Sequence, residues 1–202
     1  MAVLTSQAAL DAIYDAAPSA ASTEKVATAL TPAYRAWIEA APFCALATVG
    51  PEGLDCSPRG DIGHVVHVVS DAELALPDRR GNNRIDSLRN IVRDPRVALM
   101  FLIPGSGTVI RVNGRAEIRD DAALLAQYPQ NGKLPRTVTL IRIGEVYFQC
   151  ARAIHRADIW NTRPALSDLP TTGQILASMT KGAIDAKDYD DNWTARAAKT
   201  MW

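Results

Sequence analysis

Two arginine-bearing stretches, SPRGD at 57–61 and PDRRGNNRIDSLRN at 77–90, combine residue types that suit the binding of an anion. Each stretch follows an apolar run that is typical of a strand. In the second stretch Asn82 or Asn83 can cap a helix, and the free amides of the first turn together with neighbouring guanidinium groups can bind phosphate. Considered alone, this stretch equally fits a capped surface helix in which Asp86 completes a capping box.

The first stretch favours the anion site. Pro58 fixes an extended approach, and Arg59 stands at a strand end before Gly60, where the backbone can come close to a flat ligand. The chain then makes one excursion and returns through ELALP at 73–77. Paired strands would bring Arg59 and the 79–84 loop to the same rim. The two stretches therefore predict one phosphate-sized site beside exposed strand edges, which suits a phosphorylated planar ligand.

The remaining sequence predicts the elements that must hold these stretches in place. Residues 1–41 are alanine-rich and predict a helical arm, with Thr31 as a cap and Pro32 at the first position of its last helix. A helix is predicted from about 83 to 93, and another closes the chain within 185–202. Apolar runs predict strands, which lie at 43–57 (a hairpin), 64–69, 73–76, 97–103, 108–114 and 138–150.

Six or so strands with one intervening helix predict a mainly β (α+β) fold built on a closed or nearly closed antiparallel barrel. The length of 202 residues suits one domain with terminal extensions. We expect a helical arm at 1–41, a barrel domain at 42–160, and a C-terminal loop and helix at 161–202 that pack on the same domain.

Composition excludes several classes of partner and site. The 22 basic residues balance the 22 acidic ones, so nothing in the net charge favours nucleic acid or an anionic membrane. No window is apolar enough to span a bilayer, and the N-terminus lacks the pattern of a signal peptide. The three cysteines, Cys44, Cys56 and Cys150, fit neither a zinc site nor a disulfide framework, so a cytoplasmic location is expected.

The order and spacing of several blocks carry a family resemblance. The run from FCALATVGPEGLDCSPRGD through ELALPDRRGNNRIDSLRNIVRDPRVALMFLIPGSGTVIRVNGRAEI resembles the pyridoxamine 5'-phosphate oxidase-like, FMN-binding split-barrel proteins. The resemblance covers about 41–119, with a weaker similarity in EVYFQCARAIHRADIW at 145–160. It implies a six-stranded antiparallel split barrel that pairs into a homodimer, with FMN in a groove at the dimer interface.

The resemblance also implies which positions bind the cofactor. They are Arg59, Gly60, Asp61, Leu76, Pro77, Asp78, Arg79, Asn82, Asn83, Arg84, Arg111, Gln149, Arg152 and Trp160. The first three would contact the flavin ring and the ribityl chain. Leu76 and Pro77 would provide contacts through their backbone, and Asp78 and Arg79 would lie near the ribityl chain. The segment 82–84 would hold the phosphate. The last four would come from the partner subunit, with Arg111 near the N1–C2=O edge of the flavin.

The function implied is that of an FMN-dependent oxidoreductase that acts on a small molecule by hydride transfer at flavin N5. No catalytic side chain is identified. The SPRGD and NNR blocks differ from the phosphate motifs of the vitamin-forming oxidases, so oxidation of pyridoxamine phosphate is not expected. Two alternatives stay open, a non-catalytic carrier or sensor of flavin or haem, and a deazaflavin in place of FMN.

Other chemistry-bearing residues predict less. His64 and His67 stand three apart in an apolar run, so they should point to opposite faces of a strand and share no metal. Cys44 is predicted to be a buried strand residue, whereas Cys56 and Cys150 fall near the implied cofactor. Trp160 fits either a stacking contact with a ring or an ordinary aromatic anchor.

Overall fold

The computed structural model describes residues 3–14, 16–162 and 166–201. The predicted N-terminal arm and C-terminal segment thus include seven positions outside the described residues, which are 1, 2, 15, 163–165 and 202. The described residues form one antiparallel sheet and nine α-helices. None of the described helices has the length and apolar character that crossing a membrane requires.

The sheet contains seven strands, which in chain order are β1 Phe43–Gly50, β2 Gly53–Gly60, β3 His67–Ser70, β4 Glu73–Pro77, β5 Arg96–Leu102, β6 Val109–Arg119 and β7 Val138–Gln149. Their spatial order is β2-β1-β5-β6-β7-β4-β3, and every neighbouring pair is antiparallel. The strands at the two ends of this order, β2 and β3, are not paired with each other within the described residues.

The mainly antiparallel β architecture is confirmed, but the predicted count of six strands is wrong. The resemblance implied six strands, whereas the apolar runs themselves number seven and each contributes a strand. The sheet is open between β2 and β3 among the described residues, so a closed barrel is not confirmed. β3 is a four-residue edge strand, and within the described part of the chain it pairs with β4 alone. The apolar run predicted as a strand at 64–69 forms one only from His67, because Val65 and Val66 leave the sheet plane and enter the core instead.

A single buried cluster shows how strongly the sheet is curved. Leu46 of β1, Leu99 of β5 and Leu74 of β4 belong to the same core, although three strands separate β1 from β4 in the sheet order. A flat sheet would hold β1 and β4 well apart, since neighbouring strands lie about 4.8 Å from each other. The sheet therefore wraps around its core, and its two ends approach each other.

The helices are short, and in chain order they are α1 Gln7–Asp11, α2 Ala20–Glu24, α3 Pro32–Glu39, α4 Asp86–Arg93, α5 Ala122–Leu125, α6 Arg152–Ala157, α7 Thr172–Met179, α8 Ala186–Asp191 and α9 Trp193–Thr200. The predicted start of α3 is confirmed, since Thr31 accepts a hydrogen bond from the amide of Tyr34 and Pro32 occupies the first turn. The C-terminal segment forms three helices rather than the one predicted, and these pack mainly on one another.

The arm between α2 and α3 closes one side of β7. Ala27 forms an antiparallel bridge with Val146, with its amide and carbonyl both bonded at 2.8–2.9 Å. The Tyr34 hydroxyl donates to the carbonyl of Lys25 at 2.6 Å and accepts from the amide of Phe148 at 3.4 Å. These bonds satisfy the backbone of β7 beyond the end of β4, where no strand covers it.

Candidate functional site

The ends of β2 and β4 meet at one cleft of about 670 Å³, which we call the arginine cleft. It is lined by residues 55–61 and 76–88, together with Val65 and Arg136. Because β2 and β4 lie near opposite ends of the strand order, the curvature of the sheet brings them together here. The cleft volume falls within the range of about 300–1,000 Å³ that is usual for small-molecule sites.

The structure brings ten of the fourteen predicted site residues into this cleft. They are Arg59, Gly60, Asp61, Leu76, Pro77, Asp78, Arg79, Asn82, Asn83 and Arg84. Arg59 and Arg84, which are separate in sequence, thus share one cleft as the two stretches predicted. Whether these residues bind a cofactor stays a prediction.

Arg59 faces the cleft from the edge strand β2. Among the described residues the strand pairs with β1 alone, and its half-buried residues Asp55, Ser57 and Arg59 alternate with exposed ones. The Arg59 guanidinium donates to the Ser57 hydroxyl at 2.5 Å and to the Pro58 carbonyl at 2.8 Å. No carboxylate pairs with Arg59 among the described residues, so its charge remains available for an anionic ligand.

Asp61 and Arg79 form the wall of the cleft by binding each other. Arg79 Nε lies 2.7 Å from Asp61 Oδ2, and both side chains are largely buried. A second nitrogen of Arg79 donates to the Tyr128 carbonyl at 2.8 Å, and the Gln130 amide donates to Asp61. Since both charged groups are engaged within the chain, this pair fixes the shape of the site.

The predicted start of the helix after the second stretch is wrong. α4 begins at Asp86, and its N-cap is Ile85, which makes no side-chain capping bond. The Asn82 side-chain oxygen instead accepts a hydrogen bond from the Arg84 amide at 3.0 Å. Asp86 forms an ion pair with the Arg84 guanidinium at 2.5 Å. The capping box fails because Asn83 and Ile85 adopt positive φ angles of 62° and 48°, which delay the helix. For a β-branched residue such as Ile85 this conformation costs about 1–2 kcal/mol.

Ser87 ties the start of α4 to β2. Its hydroxyl donates to Asp55 Oδ2 at 3.1 Å, and the side chain is almost fully buried. One turn further along, the buried Asn90 amide donates to the Thr48 hydroxyl of β1 at 3.1 Å. These two bonds hold the helix against the sheet and therefore fix the loop that precedes it.

Asp78 is a partly buried carboxyl in the cleft. Burial raises the pKa of Asp78, whereas the nearby charges of Arg59 and Arg136 lower it. Its amide donates to the Thr137 carbonyl at 2.9 Å, which continues the pairing of β4 with β7 by one step. This pairing places the segment before β7 next to the second arginine stretch.

Arg136 is the residue that the sequence analysis missed. It lies two positions before Val138, the residue that pairs with Pro77, and one of its terminal nitrogens donates to Asn83 Oδ1 at 3.2 Å. A pairing of ELALP with VTLIRIG would have placed Arg136 beside Asp78. Strand order is not readable from apolar runs alone, so no local pattern in the sequence indicated this residue.

The prediction for Arg111 needs a second copy of the chain, because Arg59 and Arg111 lie on opposite faces of the sheet. Arg59 pairs with Cys44, which is buried and pairs in turn with Phe101. Arg111 pairs with Met100, the neighbour of Phe101 in β5. The Met100 side chain is exposed on the other face of the sheet. Arg111 stacks over the Tyr147 ring at 5.2 Å and does not line the cleft of its own chain.

Gln149, Arg152 and Trp160 also lie outside the arginine cleft of their own chain. Gln149 ends β7 and Arg152 begins α6. The Trp160 indole donates to the Ser106 carbonyl at 2.6 Å and lines a smaller cavity of about 360 Å³. Its contribution to the cleft therefore stays a prediction about a second copy.

The cysteines divide between core and surface. Cys44 is buried as predicted, and burial raises the pKa of its thiol to about 12. Cys56 lines the cleft and is exposed. Cys150 is exposed but lies outside the cleft of its own chain, and a hydrogen bond from the Arg152 backbone lowers the pKa of its thiol.

The two histidines contact each other, so the prediction that they face apart is wrong. His64 Nε2 lies 3.2 Å from His67 Nδ1, because His64 precedes the strand and the alternation of side chains does not reach it. The His67 ring also packs on Tyr128 at 4.6 Å. Within the described residues, no group of three or more histidine, cysteine or acidic side chains could hold a metal.

The His67 environment predicts a pH dependence of stability. Burial lowers the pKa of His67 from its ordinary 6.5, His64 and Arg79 lower it further, and Asp61 opposes them. Because the pKa of His67 is lower in the folded chain, the unfolded chain binds a proton at this side chain at a higher pH than the folded chain does. The free energy of unfolding should therefore fall as the pH drops through 6.5 towards the folded pKa. Urea unfolding at about pH 7.5 and about pH 5 should show a smaller loss in His67→Gln than in the wild type.

The control for this pH dependence is His155→Gln, since His155 is exposed on α6. It should lose as much stability as the wild type between the two pH values. Equal losses in His67→Gln and the wild type would contradict the assignment to His67.

The curved antiparallel sheet with an arginine-lined cleft at its strand ends defines the class of the protein, a mainly antiparallel β-sheet protein with a cleft at the sheet rim. A family model described as pyridoxamine 5'-phosphate oxidase matches residues 30–150, more than half of the chain. The chain belongs to this family. Membership supports a flavin-binding, oxidoreductase-type function in general terms.

Several solved structures are similar to this chain at low sequence identity. HupZ from Group A Streptococcus is 16% identical, with a TM-score of 0.50 over 60% of this chain and 94% of its own. An F420 reductase is 20% identical (TM-score 0.44; 58% of this chain, 98% of its own), and General Stress Protein 26 from Bacillus anthracis is also 20% identical (TM-score 0.41; 56% and 88%). No curated protein sequence matches the chain.

Proposed function

We propose that the chain binds flavin mononucleotide in the arginine cleft and serves as an oxidoreductase for a small-molecule substrate. One observation carries the proposal. Two arginine-bearing segments that are separate in sequence, 57–61 and 77–90, line the same cleft at a strand rim. Family membership supports a flavin as the ligand in general terms, and the compact anion site favours FMN among flavins.

The residues of the cleft fit a flat ligand with a phosphate group. Arg59 has no carboxylate partner among the described residues, and guanidinium groups bind phosphate through paired hydrogen bonds. Leu76 and Pro77 are buried and provide an apolar floor. A Cβ atom at Gly81 would have no heavy atom within 4 Å, so the loop leaves open space next to the arginines.

Each part of the chain has a definite task in this proposal. Arg59 and the loop 82–84 hold the phosphate, the Asp61–Arg79 pair keeps the wall rigid, and Asp78 accepts hydrogen bonds from ribityl hydroxyls. When bound, the flavin supplies hydride transfer at its N5 atom. The protein contributes position and electrostatics, as is usual for cofactor-dependent enzymes.

We further propose that the functional unit is a homodimer. Arg111, Gln149, Arg152 and Trp160 can reach an arginine cleft only if they belong to a second copy, since they lie outside the cleft of their own chain. The exposed apolar side chains Phe43 and Met100 on the same outer face as Arg111 suit such a contact.

The test is a spectrum followed by a titration. Purified protein should show the two flavin bands in the blue and near ultraviolet, or acquire them with added FMN at one flavin per chain. Arg59→Ala should weaken FMN binding by about 10- to 150-fold, since a hydrogen bond to a charged group contributes about 1.5–3 kcal/mol. The loss of flavin fluorescence on binding gives the Kd.

The matched control is Arg115→Ala, which removes an exposed arginine of β6 outside the cleft. It should leave the Kd for FMN unchanged within about twofold. A single Soret band in place of the flavin bands, or no uptake of FMN by the wild type, would overturn the proposal. If the protein binds flavin but no electron donor reduces the bound flavin, the oxidoreductase part of the proposal is wrong and the protein is a flavin carrier.

A further inference from the structure

The arginine cleft contains more cations than its internal ion pairs neutralise. Five arginines line it, which are Arg59, Arg79, Arg80, Arg84 and Arg136. Two of them are paired, Arg79 with Asp61 at 2.7 Å and Arg84 with Asp86 at 2.5 Å. Within the described part of the chain, the other three have no carboxylate at ion-pair distance.

The paired arginines are poorly suited to a new anion. A phosphate that approaches Arg84 meets the carboxylate of Asp86 on the same guanidinium, and like charges close together repel. The arginine that sequence alone favours for the phosphate is therefore the weaker candidate by geometry.

Arg136 is held at the cleft from a different element. It precedes β7, whose pairing with β4 continues through the bond between the Asp78 amide and the Thr137 carbonyl at 2.9 Å. Its guanidinium donates to Asn83 Oδ1 at 3.2 Å, which directs it at the 82–84 loop. An arginine has five N–H donors, and this bond uses one of them.

Arg59 and Arg136 line the same cleft from two separate segments of the chain. Both act on the carboxyl of Asp78 and lower its pKa, against the effect of burial. The two unpaired guanidinium groups therefore line one cleft from β2 and from the segment before β7. This is the arrangement that binds a dianion from two sides.

Resting on the proposed function, the geometry points to Arg136 as the second arginine that binds the FMN phosphate, together with Arg59, whereas Arg84 shapes the loop through Asp86. Asn83 orients Arg136 towards the phosphate. The chain thereby assembles its anion site from three separate segments, and the third of them lies outside both arginine stretches.

The experiment measures Kd for FMN and for riboflavin, which lacks the phosphate, in the wild type and three variants. Arg136→Ala should weaken FMN binding by about 10-fold or more and leave riboflavin binding unchanged within about twofold. Arg84→Ala should weaken FMN binding by less than Arg136→Ala. Arg136→Lys should recover part of the loss, because lysine keeps the charge but not the paired donors.

Three results would overturn the inference. Equal affinity of Arg136→Ala and the wild type for FMN would remove Arg136 from the site. Equal losses for FMN and riboflavin would show that Arg136 supports the loop without a contact to the phosphate. A loss for Arg84→Ala as large as that for Arg136→Ala would contradict the assignment of Arg84 to the loop. Thermal unfolding of each variant shows whether it is folded. If Arg136→Ala is misfolded, the affinity of Arg136→Lys for FMN and riboflavin decides the role of Arg136.

The failure of this inference is distinguishable from that of the proposed function. If the wild type binds neither FMN nor riboflavin, the proposed function fails and the role of Arg136 fails with it. If the wild type binds FMN and Arg59→Ala weakens binding while Arg136→Ala does not, only the assignment of Arg136 is wrong.

Discussion

Replacing Arg79 with alanine is expected to lower the free energy of unfolding by about 3–5 kcal/mol. The Asp61 side chain is 8% exposed, and it would lose the guanidinium that lies 2.7 Å from its Oδ2 atom. A carboxylate that stays buried without its counter-ion is costly, because water cannot replace the lost partner. The Tyr128 carbonyl loses a donor in the same variant. Urea unfolding at neutral pH measures the change.

Two further variants separate this effect from a general cost of losing arginine. Arg119→Ala removes a partner of Asp121 at 2.8 Å, but both side chains are about half exposed, so the cost should stay below about 1 kcal/mol. Adding Asp61→Asn to Arg79→Ala should restore part of the stability, since the buried charge disappears. A loss for Arg79→Ala no larger than that for Arg119→Ala would contradict the prediction.

Replacing Ile38 with alanine is expected to lower the free energy of unfolding by about 2–5 kcal/mol. The Ile38 side chain is completely buried, and it fixes α3 in the core beneath the sheet. Truncation would leave a cavity that the strands around it can fill only in part. Denaturant unfolding followed by circular dichroism provides the measurement.

Ile38→Val is the matched control, and it should cost only about 0.5–1.5 kcal/mol because most of the side chain remains. Ile13→Ala in the exposed part of the arm should change stability by less than about 0.5 kcal/mol, since Ile13 is 59% exposed. Equal effects at positions 38 and 13 would mean that α3 is not part of the core. The arm thus has an exposed first part and a buried last part.

Local signals predicted the elements well. The alternation of buried and half-buried residues in β1 follows the period of two that its sequence indicates, and the turn at 51–52 follows the Pro-Glu pair. The cap at Thr31 and the end of α4 before Asp94-Pro95 were also predicted from the sequence. These features depend on residues within a few positions of each other, so a single sequence contains them.

The features that the sequence could not predict depend on distant contacts. The delayed start of α4 goes with positive φ angles at Asn83 and Ile85, in a loop whose ends contact Arg136 through Asn83 and β2 through Ser87. The contact between the two histidines depends on a bend before β3. Arg136 enters the cleft only because β7 pairs with β4, and no local pattern encodes that choice of neighbour.

The bridge between Ala27 and Val146 has a consequence for how the chain reaches this structure. During synthesis the N-terminal arm leaves the ribosome long before β7 does. Ala27 therefore has no bridge partner until most of the chain has emerged. The same delay applies to β4, which waits for β7, and to β1, which waits for β5. Such distant pairings slow folding and leave unpaired strand edges exposed for longer. The native yield of this protein should therefore depend on chaperones and on low temperature more than its equilibrium stability would suggest.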